Sequence, residues 1–286
     1  MNKKIAGAIL AASILGMIVF GYRYFLEEKE MSENKIYQSF RDFPYNDMEY
    51  MNDISYMQLK KIYEEIEFLG EFKTGGEEDL FYLEKFRQMI NGELPYVNLE
   101  TGETVYLNWK DNIRDLEENY TFFSFDMDMN GGTDLCVKNL QGDVRIFRYD
   151  SYDSKIILWK EWISPSCLYI LGSSSICWDW NGVRHTFEKL DSEGDVEMSV
   201  YFTDDVFYTN GKEFYMVTLP VYRDNEVPDA DALRKQAYYD QETGLYYFRV
   251  TEEQYSELTE EYFKAFLISQ EKLEMLTVPV NELIRE

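Results

Sequence analysis

The residues with the most explicit chemistry are Asp126-Met127-Asp128-Met129-Asn130-Gly131-Gly132-Thr133-Asp134. Oxygen-bearing side chains stand at the first, third, fifth and ninth positions, Asp126, Asp128, Asn130 and Asp134. Glycine holds the sixth, where a short loop must turn sharply around a hard cation. A single carboxylate in water holds calcium weakly. Affinity comes from collecting ~6–8 oxygens at about 2.3–2.6 Å, with the ion offsetting their repulsion. The carbonyl of Gly132, at the seventh position, supplies a further oxygen. No histidine or cysteine lies in the loop, which argues against zinc or copper. Magnesium demands a tighter octahedral shell, so calcium is the expected ion. The competing reading is a polar hairpin turn without metal.

Other chemistry is sparse. His185 is the single histidine, and no Gly-x-Ser-x-Gly elbow accompanies it, so a serine triad is not indicated. Fifty-four acidic residues bring some carboxylates together by chance, which weakens any reading as a paired-carboxylate hydrolase. Cys136, Cys167 and Cys177 form no CxxC and no metal spacing. Cys167 and Cys177 can face each other across one hairpin only if the register allows. Otherwise they are core residues.

The loop must be positioned by the elements around it. Tyr120 to Phe125 reads as a strand, with Phe122 on one face and Phe123 and Phe125 on the other. Leu135 to Val137 makes the next strand. Strands follow at 143–149, 155–162, 168–171, 176–180, 183–190, 196–202, 214–221 and 245–250. Asn181-Gly182 and Asn210-Gly211 mark hairpin turns. Such spacing predicts an antiparallel meander. Upstream, Ser32 caps a short helix through Phe40. Met57, Leu59, Ile62, Ile66 and Leu69 trace a second helix, and Leu80, Leu83, Phe86, Met89 and Ile90 a third. A loop or hairpin is expected around Thr101-Gly102, then a short helix over 110–117. Thr251 and Gln254 form a capping box for a final helix, with Tyr255, Leu258, Tyr262, Phe263 and Phe266 buried and its end near Ile268. Val278 to Ile284 is an edge strand or a loose tail.

The amino terminus pairs Lys3 and Lys4 with seventeen uncharged residues, Ile5 to Gly21, before the acidic Glu27-Glu28. About 20 apolar residues span a bilayer as a helix, and the flanking charges put the amino terminus in the cytoplasm. A single-pass anchor at the cell membrane is therefore expected, with the bulk of the chain outside. A cleaved secretory signal is the alternative, and it also places the chain outside. The expected organisation is α+β: a signal-anchor over 1–28, a mainly helical segment over 29–119, and an antiparallel β domain with a carboxyl-terminal helix over 120–286.

Formal net charge is 28 − 54 = −26. Such a chain repels phosphate backbones, so nucleic acid is not expected as a partner. With 17% aromatic residues, mostly Tyr and Phe, a packed strand-rich core is expected rather than disorder.

The nine-residue loop resembles the calcium loops of FG-GAP and VCBS-type repeats, which join two strands. An EF-hand would need Glu where Val137 stands. Asn91-Gly92-Glu93-Leu94, the Asp134-Leu135-Cys136-Val137 exit, Ile156-Ile157-Leu158-Trp159 and Val250-Thr251-Glu252-Glu253-Gln254-Tyr255 are similar to segments of a family of anchored or secreted proteins from Gram-positive gut bacteria. The resemblance covers about residues 85 to 268 and implies an extracytoplasmic setting and a metal-bearing loop. It implies no activity. Two functions are open at this point. One is a non-catalytic, calcium-stabilised surface domain that binds a protein or glycan partner, with Trp159, Trp162, Trp178 and Trp180 as candidate sugar platforms. The other is an extracellular hydrolase using paired carboxylates.

Overall fold

The computed structural model describes residues 48–66, 72–74, 79–107, 109, 113–163, 167–180, 182–205, 214–223, 227, 230–241 and 243–284. The expected anchor at Ile5–Gly21, the helix at Ser32–Phe40 and the Asn210-Gly211 turn lie outside these residues. Among the described residues no helix is long and apolar enough to cross a membrane. The elements below belong to one unit, Glu49–Asp205 with Glu213–Glu286.

That unit is α+β, as the sequence predicts, but it holds two sheets rather than one meander. The first has six strands in the order β2-β1-β6-β5-β4-β3. These are β1 (Tyr96–Asn98), β2 (Thr104–Val105), β3 (Tyr120–Phe125), β4 (Asp134–Asn139), β5 (Val144–Asp150) and β6 (Lys155–Trp162). The loop or hairpin read around Thr101-Gly102 is the β1–β2 hairpin, and it joins this sheet because β1 pairs with β6 in parallel, Tyr96 opposite Ile156. The second sheet runs β13-β14-β11-β10-β9-β8-β7, with β12 also on β10. Its strands are β7 (Leu168–Gly172), β8 (Ser175–Trp180), β9 (Arg184–Leu190), β10 (Val196–Asp205), β11 (Phe214–Thr218), β12 (Val221–Tyr222), β13 (Tyr238–Tyr239) and β14 (Tyr246–Val250). The strand expected over 214–221 is cut at Leu219-Pro220, because proline has no N–H for the ladder. A helical turn at Asp231–Arg234 and the short β13 were not anticipated.

Alternation along the strands builds three cores. Phe122, Leu135, Val137, Phe147 and Leu158 point from the six-stranded sheet toward helices α2 (Asp79–Ile90) and α3 (Ile113–Asn119). Phe123, Phe125, Cys136, Val144, Ile146 and Trp159 point the other way and meet Leu168, Ile170, Ile176 and Leu190 of the eight-stranded sheet. The far face of that second sheet carries Phe187, Val200, Phe202, Val217 and Phe248 against α1 (Asp53–Glu64) and the carboxyl-terminal helix. The turn at Asp231–Arg234 is α4, and that carboxyl-terminal helix is α5 (Glu252–Met275).

Two helices show how local sequence sets these positions. Asn52 caps α1 by accepting from the Ser55 amide at 3.0 Å, and the helix buries Tyr56, Leu59 and Tyr63 while Met57 is exposed. Leu59 is buried and Ile62 and Ile66 pack against the core as read, but Tyr56 and Tyr63 complete the stripe in place of Met57. For α5 the capping box is present as expected, and Tyr255, Leu258 and Tyr262 are buried. The helix outruns its expected end at Ile268 by seven residues, closing at Met275. Leu267 and Ile268 are exposed, but Ser269 and Leu273 resume the buried face, and Leu273 reaches the core between the sheets. The tail at 278–284 is mostly a short helix, α6 (Val280–Leu283). Just before it, Ser124 N donates to Leu276 O and Val278 N to Phe122 O, which covers the open edge of β3.

Candidate metal centre

The acidic loop joins β3 to β4. The ladder between these strands runs to the pair Phe125–Asp134, so the first and last carboxylates of the motif stand together at the mouth of the hairpin. The turn between them needs left-handed backbone, which Met129 (φ 60°) and Gly131 (φ 88°) supply. Asp126, Asp128 and Asp134 come together, each offering an oxygen within 4.8 Å of the others. They are only 3%, 3% and 2% exposed. Two oxygens on one calcium can stand up to about 4.6–5.2 Å apart, twice the usual bond length, so the spacing fits that ion.

The loop's own amides hold the carboxylates in place. Asp134 Oδ2 accepts from Met127 N at 2.8 Å and Asp128 N at 3.3 Å. Asp126 Oδ2 accepts from Gly131 N at 3.0 Å. Asp128 Oδ1 accepts from Asn130 N at 3.1 Å. The remaining oxygens of two of them, Asp126 Oδ1 and Asp134 Oδ1, are buried with no hydrogen-bond donor. Leaving buried, charged acceptors unsatisfied is costly, at least about 1–3 kcal/mol each. Burial accordingly pushes the Asp126 carboxyl above its ordinary value, helped by the nearby Asp128 charge and opposed by the Gly131 amide. Asp134 is pushed well above, by burial first and then by Asp128.

Not every residue of the motif joins the cluster. The Asn130 side chain turns its amide nitrogen to Asp128 Oδ2 at 2.8 Å and its oxygen to Gly132 N at 2.6 Å. It braces the loop from an exposed position rather than adding an oxygen to the cluster. Gly132 is buried, and a Cβ there would lie 2.9 Å from Asn130 Oδ1 and 3.2 Å from the Tyr82 ring. A side chain there would press on the Tyr82 ring and displace the Asn130 brace.

Several supporting residues carried no signal in the motif. Met127 is fully buried between the sheets. Its carbonyl accepts from Ser174 N at 2.7 Å and Ser174 Oγ at 3.1 Å. Ser173 Oγ donates to the Asp126 carbonyl and accepts from Lys73 N at 3.1 Å. These serines form the β7–β8 turn, so the loop is fastened by the other sheet. Arg148 of β5 places Nη1 2.5 Å from Asp128 Oδ2.

The other chemistry-bearing residues lie apart from this cluster. His185 packs edge-on against Phe263 at 4.7 Å between centroids and stands 3.5 Å from Asp179. Cys177 pairs across the ladder with Tyr169, while Cys167 accepts from Asp179 N, so the two cysteines are not opposite one another. All three cysteines are free. Trp159 is buried with Nε1 on Ser192 O at 2.9 Å, and Trp178 donates to Glu188 at 2.8 Å. Trp159 lies in the core between the sheets, and the half-buried Trp162 and Trp178 pack against it.

Fold and site together define a two-sheet α+β domain with a buried acidic loop at the junction of its sheets. No family model, curated protein or solved structure matches this chain.

Proposed function

We propose that the 126–134 loop holds a calcium ion that fastens the β3–β4 hairpin to the second sheet, and that the chain is a non-catalytic module set outside the cytoplasm by its apolar amino-terminal segment. The observation that carries this reading is the pair of orphaned carboxylate oxygens, Asp126 Oδ1 and Asp134 Oδ1, buried in a cluster of three acids. The net charge of the cluster supports a divalent ion: three carboxylates and the Arg148 guanidinium leave two negative charges. Burial weighs against the hydrolase alternative, because carboxylates 2–3% exposed do not reach a substrate. Carboxylates buried this deeply suit a structural ion, whereas catalytic metals keep an open position.

An extracytoplasmic setting suits such a site. Calcium loops of extracellular modules work at dissociation constants of about 10⁻⁴–10⁻³ M, which millimolar calcium fills to about half or more. The role of the module is then to present a rigid surface to a protein or glycan partner. Burial of Trp159 turns the search for that surface away from it and toward the half-buried Trp162 and Trp178. The test is thermal unfolding of the protein in EGTA and in millimolar calcium. Calcium raises the melting temperature, magnesium raises it less, and Asp126→Ala with Asp128→Ala removes the increase. Identical melting in EGTA and calcium would sink the reading.

A further inference from the structure

Resting on the calcium reading, we propose that Arg148 sets the charge of the loop and so makes it selective for divalent over trivalent cations. An arginine beside a metal ligand is unexpected if the loop is built only to attract cations. Arg148 cannot shed its proton in a protein, so it is a permanent positive charge. Its Nη1 stands 2.5 Å from Asp128 Oδ2 and 3.2 Å from Ser192 O.

The guanidinium is not free to swing away. Ser192 belongs to the turn between β9 and β10, and its carbonyl also accepts from Trp159 Nε1 at 2.9 Å. Asp191 Oδ1 closes that turn by accepting from Glu193 N at 2.8 Å and Asp195 N at 3.0 Å. A Cβ on Gly194 would come within 3.3 Å of the Trp159 ring, so the turn lies directly on the indole. The charge is therefore held at a fixed place beside the cluster.

The two orphaned oxygens belong to Asp126 and Asp134, the carboxylates Arg148 does not touch. Arg148 neutralises one acid and leaves the other two to the ion. That division has a consequence for selectivity. Calcium and the lanthanides are both hard cations of similar size that take oxygen ligands, and they differ chiefly in charge. A fixed positive charge a few ångströms away penalises an ion in proportion to its own charge. Neutralising Arg148 therefore tightens both ions but favours the trivalent one further, by about tenfold per unit of charge at an intermediate dielectric.

The experiment measures calcium and terbium affinities by calorimetry and terbium luminescence on wild type, Arg148→Met and Arg148→Lys, with Asp134→Asn as the blank for surface binding. Circular dichroism confirms that each variant is folded. The expected result is a terbium-to-calcium affinity ratio raised about tenfold in Arg148→Met and unchanged within about twofold in Arg148→Lys. Arg148→Gln, which retains a donor for Ser192, repeats the measurement if the methionine variant does not fold. A folded neutral variant with the wild-type ratio overturns the proposal. So does one that binds neither ion, since Arg148 would then only be positioning Asp128. Wild type binding neither ion fails differently: it removes the calcium reading itself.

Discussion

Replacing Asp134 by asparagine tests the site most sharply, because the structure sets its effect without metal against its effect with metal. The Asp134 side chain is 2% exposed; Oδ2 holds two backbone amides and Oδ1 holds none. Asparagine keeps the shape and the acceptor, and turns the orphaned oxygen into an N–H donor facing two carboxylates. In metal-free protein this removes an unsatisfied buried charge, a gain of about 1–3 kcal/mol. The gain depends on pH. A carboxyl whose folded pKa is raised leaves the folded state holding more protons than the unfolded chain at pH above about 3.9. Wild type without metal therefore loses stability as pH rises toward the raised value, and the variant lacks that slope. In calcium the gap closes or reverses. With calcium raised to a hundredfold excess, about 10–100 mM for a constant of about 10⁻⁴–10⁻³ M, wild type gains ~2.7 kcal/mol, and the variant, short of one ligand and one charge, gains little. At roughly 2–4 °C per kcal/mol for a domain of this size, Asp134→Asn melts about 2–12 °C above wild type in EGTA, and wild type recovers about 5–11 °C in calcium. The assay is scanning calorimetry in both buffers at neutral to mildly alkaline pH. A variant that melts below wild type in EGTA, or that keeps the full calcium increment, refutes the argument.

Three further expectations test the rest of the fold. Thr251→Ala breaks the capping box in which Thr251 Oγ1 accepts from Gln254 N at 3.2 Å and Gln254 Oε1 from Thr251 N at 3.1 Å; it costs about 1 kcal/mol in urea unfolding, and no loss would mean α5 is fixed by packing alone. Burial lowers the His185 pKa, against the pull of Asp179, so the unfolded chain takes up a proton first as pH falls below about 6.5; stability then drops through that window, and His185→Gln, measured by pH-dependent denaturation, flattens the slope. Cys136 and Cys177 are buried and Cys167 half-buried, all as free thiols, so a maleimide labels Cys167 first in native protein, and a Cys167–Cys177 disulfide peptide in the mass spectrum contradicts the register.

The strands around the loop were legible because each one alternates cleanly. In β3, Phe122 faces one core while Phe123 and Phe125 face the other, as the pattern dictates. The capping box at Thr251 was legible because its two partners are neighbours in sequence. Division into two sheets was not legible, because nothing local tells β6 that its next partner is β1, about sixty residues earlier, and in parallel. The end of α5 was misread because two exposed apolar residues interrupt the stripe. At the site, spacing gave the three acids, but it placed Asn130 with them when its amide is used inside the loop. Arg148 left a faint trace. In Val144-Arg145-Ile146-Phe147-Arg148 it shares a face with Val144 and Ile146, which are buried between the sheets. A charge in line with core residues calls for a buried partner. Which partner depends on a neighbouring strand, and that contact is tertiary.

The position of the loop decides how an ion there would act. A hairpin tip in solvent frays by itself, so binding an ion to it stabilises only the tip. Here Met127 is packed between the sheets, Ser173 and Ser174 clasp the carbonyls of Asp126 and Met127, and Arg148 ties Asp128 to the β9–β10 turn. Opening the cluster therefore means parting the loop from two turns of backbone and from the core between the sheets. The uncompensated charges act directly against that docking, and an ion that neutralises them strengthens it. Stabilisation by the ion should consequently appear in the main unfolding transition rather than as a separate early step, which is the behaviour of a fastener between layers rather than of a clip on a loop.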